Sequence, residues 1–230
     1  VEAKLRLLDA LGETGLKTIS IGSFASPKWT PQMACMDEIA QRFSPKPGIK
    51  YTAAVFNRQG FLRADKYYPK IDVRSRESVT HVEVGRVFAM RNYNRTPEQM
   101  MTSAESTVAR AKESGVTSGA IAIGNPFGSN FEGDVTLKNA ISVIETVMDK
   151  WHAQGLLVSA CRIIDDMGAA LPHTLAELLN AIQKRWPEIT EYGLHLHNQR
   201  GTASICYYEA LRMGVTHFDT SLGGLGGCPY

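Results

Sequence analysis

Helical and strand patterns alternate along this chain almost without a break, and no other feature limits its possible folds as much. Val1, Leu5, Leu8 and Leu11 fall at helical spacing, Gly15 can close that helix, and Lys17 to Phe24 then reads as a strand. Tyr51 to Phe56 and His81 to Phe88 are the next strand candidates. Thr96-Pro97-Glu98-Gln99 combines an N-cap, a proline at the first helical position and a capping-box glutamine, so a helix is expected through Val108 to Lys112, with Gly115 to end it. Ser118 to Gly124 is strand-like, Thr136 can cap a helix through Trp151, and Leu156 to Ile164 is a strand run. The pattern repeats with a helix over Pro172 to Trp186, a strand over Tyr192 to Asn198, a helix over Ala203 to Met213 and a last strand over His217 to Leu222. Strands joined mostly by helical crossovers predict an α/β protein with a parallel sheet, and their number points to a (β/α)8 TIM barrel lacking its first strand and whatever follows the last. A doubly wound open sheet is the runner-up, weakened because no GxGxxG follows a strand.

A length of 230 residues with 43% hydrophobic content suits one barrel domain over 1–230, incomplete at both ends. Val1 is not an initiator methionine and the chain opens as if inside a helix, so a segment is expected upstream. The 25 basic and 23 acidic residues are interspersed, which leaves no broad field for nucleic acid or a membrane surface. Small ligands, anionic ones included, stay open. Cysteines 35, 161, 206 and 228 form no CxxC pair and read as free thiols of a reducing compartment. No apolar run reaches the roughly 18 residues a bilayer demands. A soluble protein is expected, cytoplasmic or in the mitochondrial matrix of a eukaryote, and a homo-oligomer is open.

The candidate chemistry collects at the C-terminal ends of the expected strands, where barrel enzymes build their sites. His195 and His197 stand two apart on a strand, so both imidazoles aim at one place, as a divalent metal requires. The alternative is two half-buried histidines that happen to alternate. Cys228 follows Gly223, Gly224, Gly226 and Gly227, a loop able to present a thiol over a site without burying it. Other strand ends carry Ser23 to Trp29, Asn125, the pair Asp165-Asp166, and Asn198 to Gly201. Ser23, Lys28, Asn198 and Arg200 are the substrate-binding candidates; Arg200 is equally suited to a salt bridge at the barrel mouth. Asp165 could instead cap a helix or stabilise a loop. Residues 57–78 form an excursion rich in Arg58, Arg63, Lys66, Lys70, Arg74 and Arg76, open to a phosphate-bearing ligand, another subunit or plain solvent.

Three stretches, Ser23 to Met33 (SFASPKWTPQM), Leu194 to Gly201 (LHLHNQRG) and Ser221 to Tyr230 (SLGGLGGCPY), resemble the 3-hydroxy-3-methylglutaryl-CoA lyase family of metal-dependent TIM-barrel lyases. The similarity runs over essentially the whole chain. It implies that His195 and His197 are metal ligands, that His195 also handles a proton, that Cys228 closes over the substrate, and that Asp165 is the aspartate ending the sixth barrel strand. The family's remaining ligands, a first-strand Arg-Asp pair and an asparagine beyond the cysteine, fall outside this stretch. Within it, Ser20 stands where the family has glutamate, Asn125 where some relatives have a second cysteine, and Asp166 where threonine is usual. These departures imply a divergent lyase.

The implied reaction splits a 3-hydroxy-3-methylglutaryl-CoA-like acyl thioester into acetyl-CoA and a keto acid. The hydroxyl must lose its proton as the carbon-carbon bond breaks, and the departing enolate must gain one. Asp165 is the candidate for the first transfer, with Asp166 able to exchange roles, and His195 for the second. Oxygen ligands with two imidazoles suit Mg2+ or Mn2+, and the histidines would also accept Zn2+. The alternatives are a related 4-hydroxy-2-oxo acid aldolase or acyltransferase, or a pseudoenzyme that keeps the barrel without the metal.

Overall fold

Where apolar residues alternate with polar or small ones, the chain forms short parallel strands. In the computed structural model, which describes residues 1–28, 30–74 and 78–224, Thr18–Ser23 (β1) buries Ile19 and Ile21, and Lys50–Ala54 (β2) buries Tyr51 and Ala53. The two pair in parallel with Ile19 opposite Tyr51. With helices Glu2–Leu11 (α1), Met36–Arg42 (α2) and Arg58–Asp65 (α3) they make up the first of two compact units, residues 1–77. Its core includes Leu8, Phe24, Met36, Ile39, Phe43 and Ile71.

The expected excursion at 57–78 opens with α3, which Asn57 caps by accepting the Gly60 amide at 2.8 Å. Three of its cations are engaged inside the unit. Arg63 donates to Asp37, Lys70 to the carbonyls of Ala40 and Gln41 at 2.9 and 2.7 Å, and Arg74 to Asp65 at 2.7 Å while lying over the Tyr68 ring. Groups held this way are poorly placed to receive a phosphate. Arg76 and Trp29 lie outside the described residues.

The second unit begins at Ser78. Its strands Val79–Glu83 (β3), Ser118–Gly124 (β4), Leu157–Asp165 (β7), Glu191–Leu196 (β8) and His217–Phe218 (β9) form one parallel sheet in the order β3-β4-β7-β8-β9. Gly128–Ser129 (β5) and Gly133–Asp134 (β6) add a small antiparallel pair. The connecting helices are Arg86–Tyr93 (α4), Pro97–Glu113 (α5), Leu137–Ala153 (α6), Pro172–Arg185 (α7) and Ala203–Arg212 (α8). The Thr96–Gln99 capping box forms as read, and Thr136 accepts the Asn139 amide at the start of α6. No described helix is long and apolar enough to cross a membrane.

The two faces of this sheet differ in chemistry. Val82, Ile121, Ile123, Ile163 and Leu194 pack with the apolar sides of α5 to α8. Each such side chain contributes roughly 1.5–3 kcal/mol by leaving water. Trp151 of α6 is fully buried, donates to Thr80 at 3.1 Å, and leaves so little space over β4 that a Cβ at Gly119 would stand 2.1 Å from its ring. The alternate positions carry His81, Glu83, Ala122, Arg162 and His195 on the other face. Register sets Glu83, Gly124, Ile164 and His195 in one row across four strands.

Two strand ends depart furthest from expectation. The strand expected over His81 to Phe88 stops at Glu83, because both oxygens of Glu132 accept the Arg86 and Val87 amides at 3.0 Å and start α4 there. That cap comes from a residue too distant in sequence to be foreseen. The last strand ends at Phe218 rather than Leu222, although the Asp219 amide still donates to the Leu194 carbonyl at 2.8 Å.

Candidate metal centre

Asp165 is the last residue of β7 and Asp166 the first of the turn that follows, so alternation along the strand fixes the side of Asp165 and the turn sets that of Asp166. Asp165 continues the helix-side series of Cys161 and Ile163; it is fully buried, and its oxygens accept the amides of Ala169 and Ala170 at 3.1 and 2.8 Å. Burial pushes its carboxyl above the usual range, against the lowering effect of those amides. Asp166 turns to the histidine side. Its Oδ1 stands 3.4 Å from His197 Nε2 and 4.0 Å from His195 Nε2. The structure therefore brings Asp166 to the imidazoles, while Asp165 holds the turn that leads into α7.

His195 and His197 have ring centroids 5.3 Å apart, although β8 itself ends between them at Leu196. One donor atom from each of Asp166, His195 and His197 lies within 4.8 Å of the others. A carboxylate and two imidazoles converging at that spacing suit a divalent cation. The surrounding groups orient the donors. Asp219 lies 3.0 Å from His195 Nδ1 and also meets Arg162 at 3.3 Å, which leaves His195 Nε2 facing Asp166. The Asp219 hydrogen bond pushes the His195 imidazole up, outweighing burial, with the charges of Asp219 and Asp166 adding to it and Arg162 opposing. Gln199 donates to the Asp166 carbonyl at 2.9 Å and sits 3.3 Å from His197 Nδ1. The Tyr207 hydroxyl accepts from the Leu196 amide at 3.1 Å and donates to the Asp219 carbonyl at 2.8 Å, pinning the end of β8 to the residue after β9.

The HMGL-like family profile matches residues 1–228. The chain belongs to the HMGL-like family. Hydroxymethylglutaryl-CoA lyase YngG of Bacillus subtilis is 30% identical over 229 residues, covering 100% of this chain and 72% of the relative. The (R)-citramalyl-CoA lyase of Chloroflexus aurantiacus is 28% identical over 240 residues, 99% of this chain and 70% of that one. In fold, the crystal structure of the Bacillus subtilis HMG-CoA lyase matches with a TM-score of 0.78 at 29% identity, over 99% of this chain and 72% of that chain. The protein is thus an HMGL-like lyase with the TIM-barrel fold of that family.

The other residues singled out in this HMGL-like sequence occupy varied places. Asn198 Oδ1 accepts the Ala203 amide at 3.0 Å and so starts α8, and exposed Arg200 donates to Asn130 at 3.1 Å. Ser23 and Lys28 belong to the first unit, where Ser23 Oγ accepts the Ala25 amide at 3.1 Å and Lys28 is exposed. Cys228 lies outside the described residues. Cys161 and Cys206 are buried, which pushes their thiols up to about 12 and about 11, whereas Cys35 is only half-buried, with Lys4 Nζ at 3.5 Å. Sequence reasoning missed Asp219, Tyr207 and Gln199. For Asp219 a signal existed, since it lies two places after His217 on the expected strand.

Proposed function

We propose that this HMGL-like lyase uses a divalent cation, Mg2+ or Mn2+ with Zn2+ as the alternative, to cleave a 3-hydroxy-3-methylglutaryl-CoA-like thioester into acetyl-CoA and a keto acid. The convergence of Asp166, His195 and His197 within 4.8 Å carries the reading, and the names of the relatives support a thioester substrate. These three residues would hold the cation, which would supply Lewis-acid polarisation of the substrate oxygens.

The chain's own groups account for the protons. The Asp219 contact favours a proton on Nδ1 of neutral His195, which leaves the Nε2 lone pair toward Asp166. That lone pair serves one partner at a time: it either joins the ligand set or takes part in proton transfer. Asp165, whose two oxygens are occupied by backbone amides, supports the turn and leaves the chemistry to its neighbour. The glycine-rich sequence around Cys228 supports a loop-closure role, in which its thiol would give the enolate a proton and the closed loop would keep water out.

The test is metal analysis of the full-length protein together with a panel of 3-hydroxy-3-alkyl dicarboxyl-CoA thioesters, citramalyl-CoA and free 4-hydroxy-2-oxo acids. About one divalent ion per chain, lost in the double variant His195→Ala/His197→Ala, and thioester cleavage are expected. Unchanged metal in the double variant defeats the ligand assignment. Cleavage of the oxo acids alone makes the protein an aldolase, and cleavage of nothing by metal-loaded protein makes it a pseudoenzyme. His195→Ala alone separates its two roles, since retained metal with lost turnover assigns proton transfer.

A further inference from the structure

One residue on β4's end encloses the whole Asp165-Asp166 pair. Asn125 is buried and its backbone is left-handed at φ 50°, a conformation asparagine tolerates better than most side chains. From there its amide donates to the Ile164 carbonyl at 2.7 Å, and its Oδ1 accepts from the Met167 amide at 3.2 Å. The backbone is thereby held on both sides of the two aspartates. The remaining group, Nδ2, donates to Glu83 Oε2 at 3.1 Å. With Oε2 of Glu83 as the acceptor, Nδ2 is the end of the side-chain amide that faces it, which leaves Oδ1 for Met167.

Glu83 is placed for this. Its side chain is fully buried and lies over Gly124, where a Cβ would stand 1.9 Å from Oε1. Only glycine leaves room for the carboxylate to reach Asn125. Oε1 itself has no hydrogen-bond partner among the described residues; His81 Nε2, equally without one, stands 3.2 Å away in poor alignment. A buried carboxylate with one oxygen unsatisfied costs stability. What that carboxylate does accomplish is the orientation of Asn125.

We infer that Asn125, oriented by Glu83, is a positioning residue that sets the Asp166 carboxylate against the imidazoles of His195 and His197. The inference rests on the reading of those three residues as cation ligands. A ligand carboxylate on a turn is only as well placed as the backbone beneath it, and sites of this kind tolerate displacements of about 0.5 Å. Asn125 is what ties that backbone to the sheet from the β4 side.

The test measures Mn2+ affinity by electron paramagnetic resonance in the full-length protein, alongside thermal melts. Asn125→Gly keeps the left-handed backbone and the amide bond to Ile164 while removing both side-chain bonds. It should weaken Mn2+ binding about tenfold or more, the effect expected of a group that orients a ligand. Glu83→Gln, which can still accept from Asn125, should stay within about twofold of the parent, and Glu83→Ala should weaken binding in the direction of Asn125→Gly. Should Asn125→Gly fail to melt cooperatively, the Glu83 pair decides: a loss in Glu83→Ala rescued by Glu83→Gln upholds the role, and equal affinities overturn it. Asp166→Asn separates the two readings. If it loses Mn2+ while folded Asn125→Gly and Glu83→Ala bind as the parent does, the positioning role falls and the ligand assignment stands. If Asp166→Asn binds Mn2+ normally, the ligand assignment falls and takes the positioning role with it.

Discussion

Two pairs of aspartates, one pair in each unit, meet opposite kinds of partner. In the first, Asp37 receives Arg63 and the Tyr67 hydroxyl, and Asp65 receives Arg74. In the second, Asp166 faces two imidazoles that are neutral unless protonated, and among the described residues Asp165 beside it meets only backbone amides. A carboxylate matched by a guanidinium has its charge balanced within the chain. One matched by neutral groups keeps a charge that a bound cation would balance. The same residue type can therefore serve cohesion at one place and be free for chemistry at another, and the partner on the facing element decides which.

Substitutions can break or sharpen that contrast. The largest effect is expected for Asp166→Asn, which should lower kcat/KM by more than about 100-fold, beyond the 10- to 100-fold range of groups that only orient a ligand. Steady-state kinetics on the thioester panel checks it, and near-parental turnover would place Asp166 with the structural acids of the first unit. Asp219→Ala should come next, with metal affinity down about 10- to 100-fold through the loss of the His195 anchor, read by Mn2+ titration. An unchanged affinity would mean that His195 needs no such anchor.

Gly119→Ala probes the helix side of the same sheet. Forcing a methyl against the Trp151 ring should destabilise the fold by about 1–3 kcal/mol, seen as a lower melting temperature with kcat per folded molecule unchanged. A fall in kcat at temperatures where the variant is fully folded would show that the apolar face and the site are coupled. Asp37→Asn should have the smallest effect. Burial opposes ionisation of Asp37, but the Arg63 and Tyr67 hydrogen bonds outweigh it and hold the carboxyl below its ordinary value of 3.8. A lowered folded pKa means that the stability it confers is present above that value and lost as pH falls through the folded pKa. The variant should therefore lose less than about 1 kcal/mol at neutral pH, with the difference from the parent vanishing in acid and turnover untouched. Urea melts across pH check the sign; a difference that grew in acid would reverse it.

Much of this protein was legible in its residues. Alternation of period-two and helical patterns located the main strands to within a few residues, since burial of one face imposes that period wherever the strand lies. The Thr96–Gln99 cap was readable because all its partners are within one turn. The two-residue spacing of His195 and His197 brought both rings to one place for the same local reason. Tertiary structure alone decided the rest. The cap that ends β3 early comes from Glu132, the anchor of His195 from Asp219, and the bracket around Asp165-Asp166 from Asn125 and Glu83. Those partners lie on other strands and loops, and no local periodicity encodes which distant side chain will face them. The choice between Asp165 and Asp166 belongs to the same class. Two adjacent aspartates are equivalent as letters, and only the packing of helices on one side of the sheet turns one inward to hold a turn and leaves the other facing the histidines.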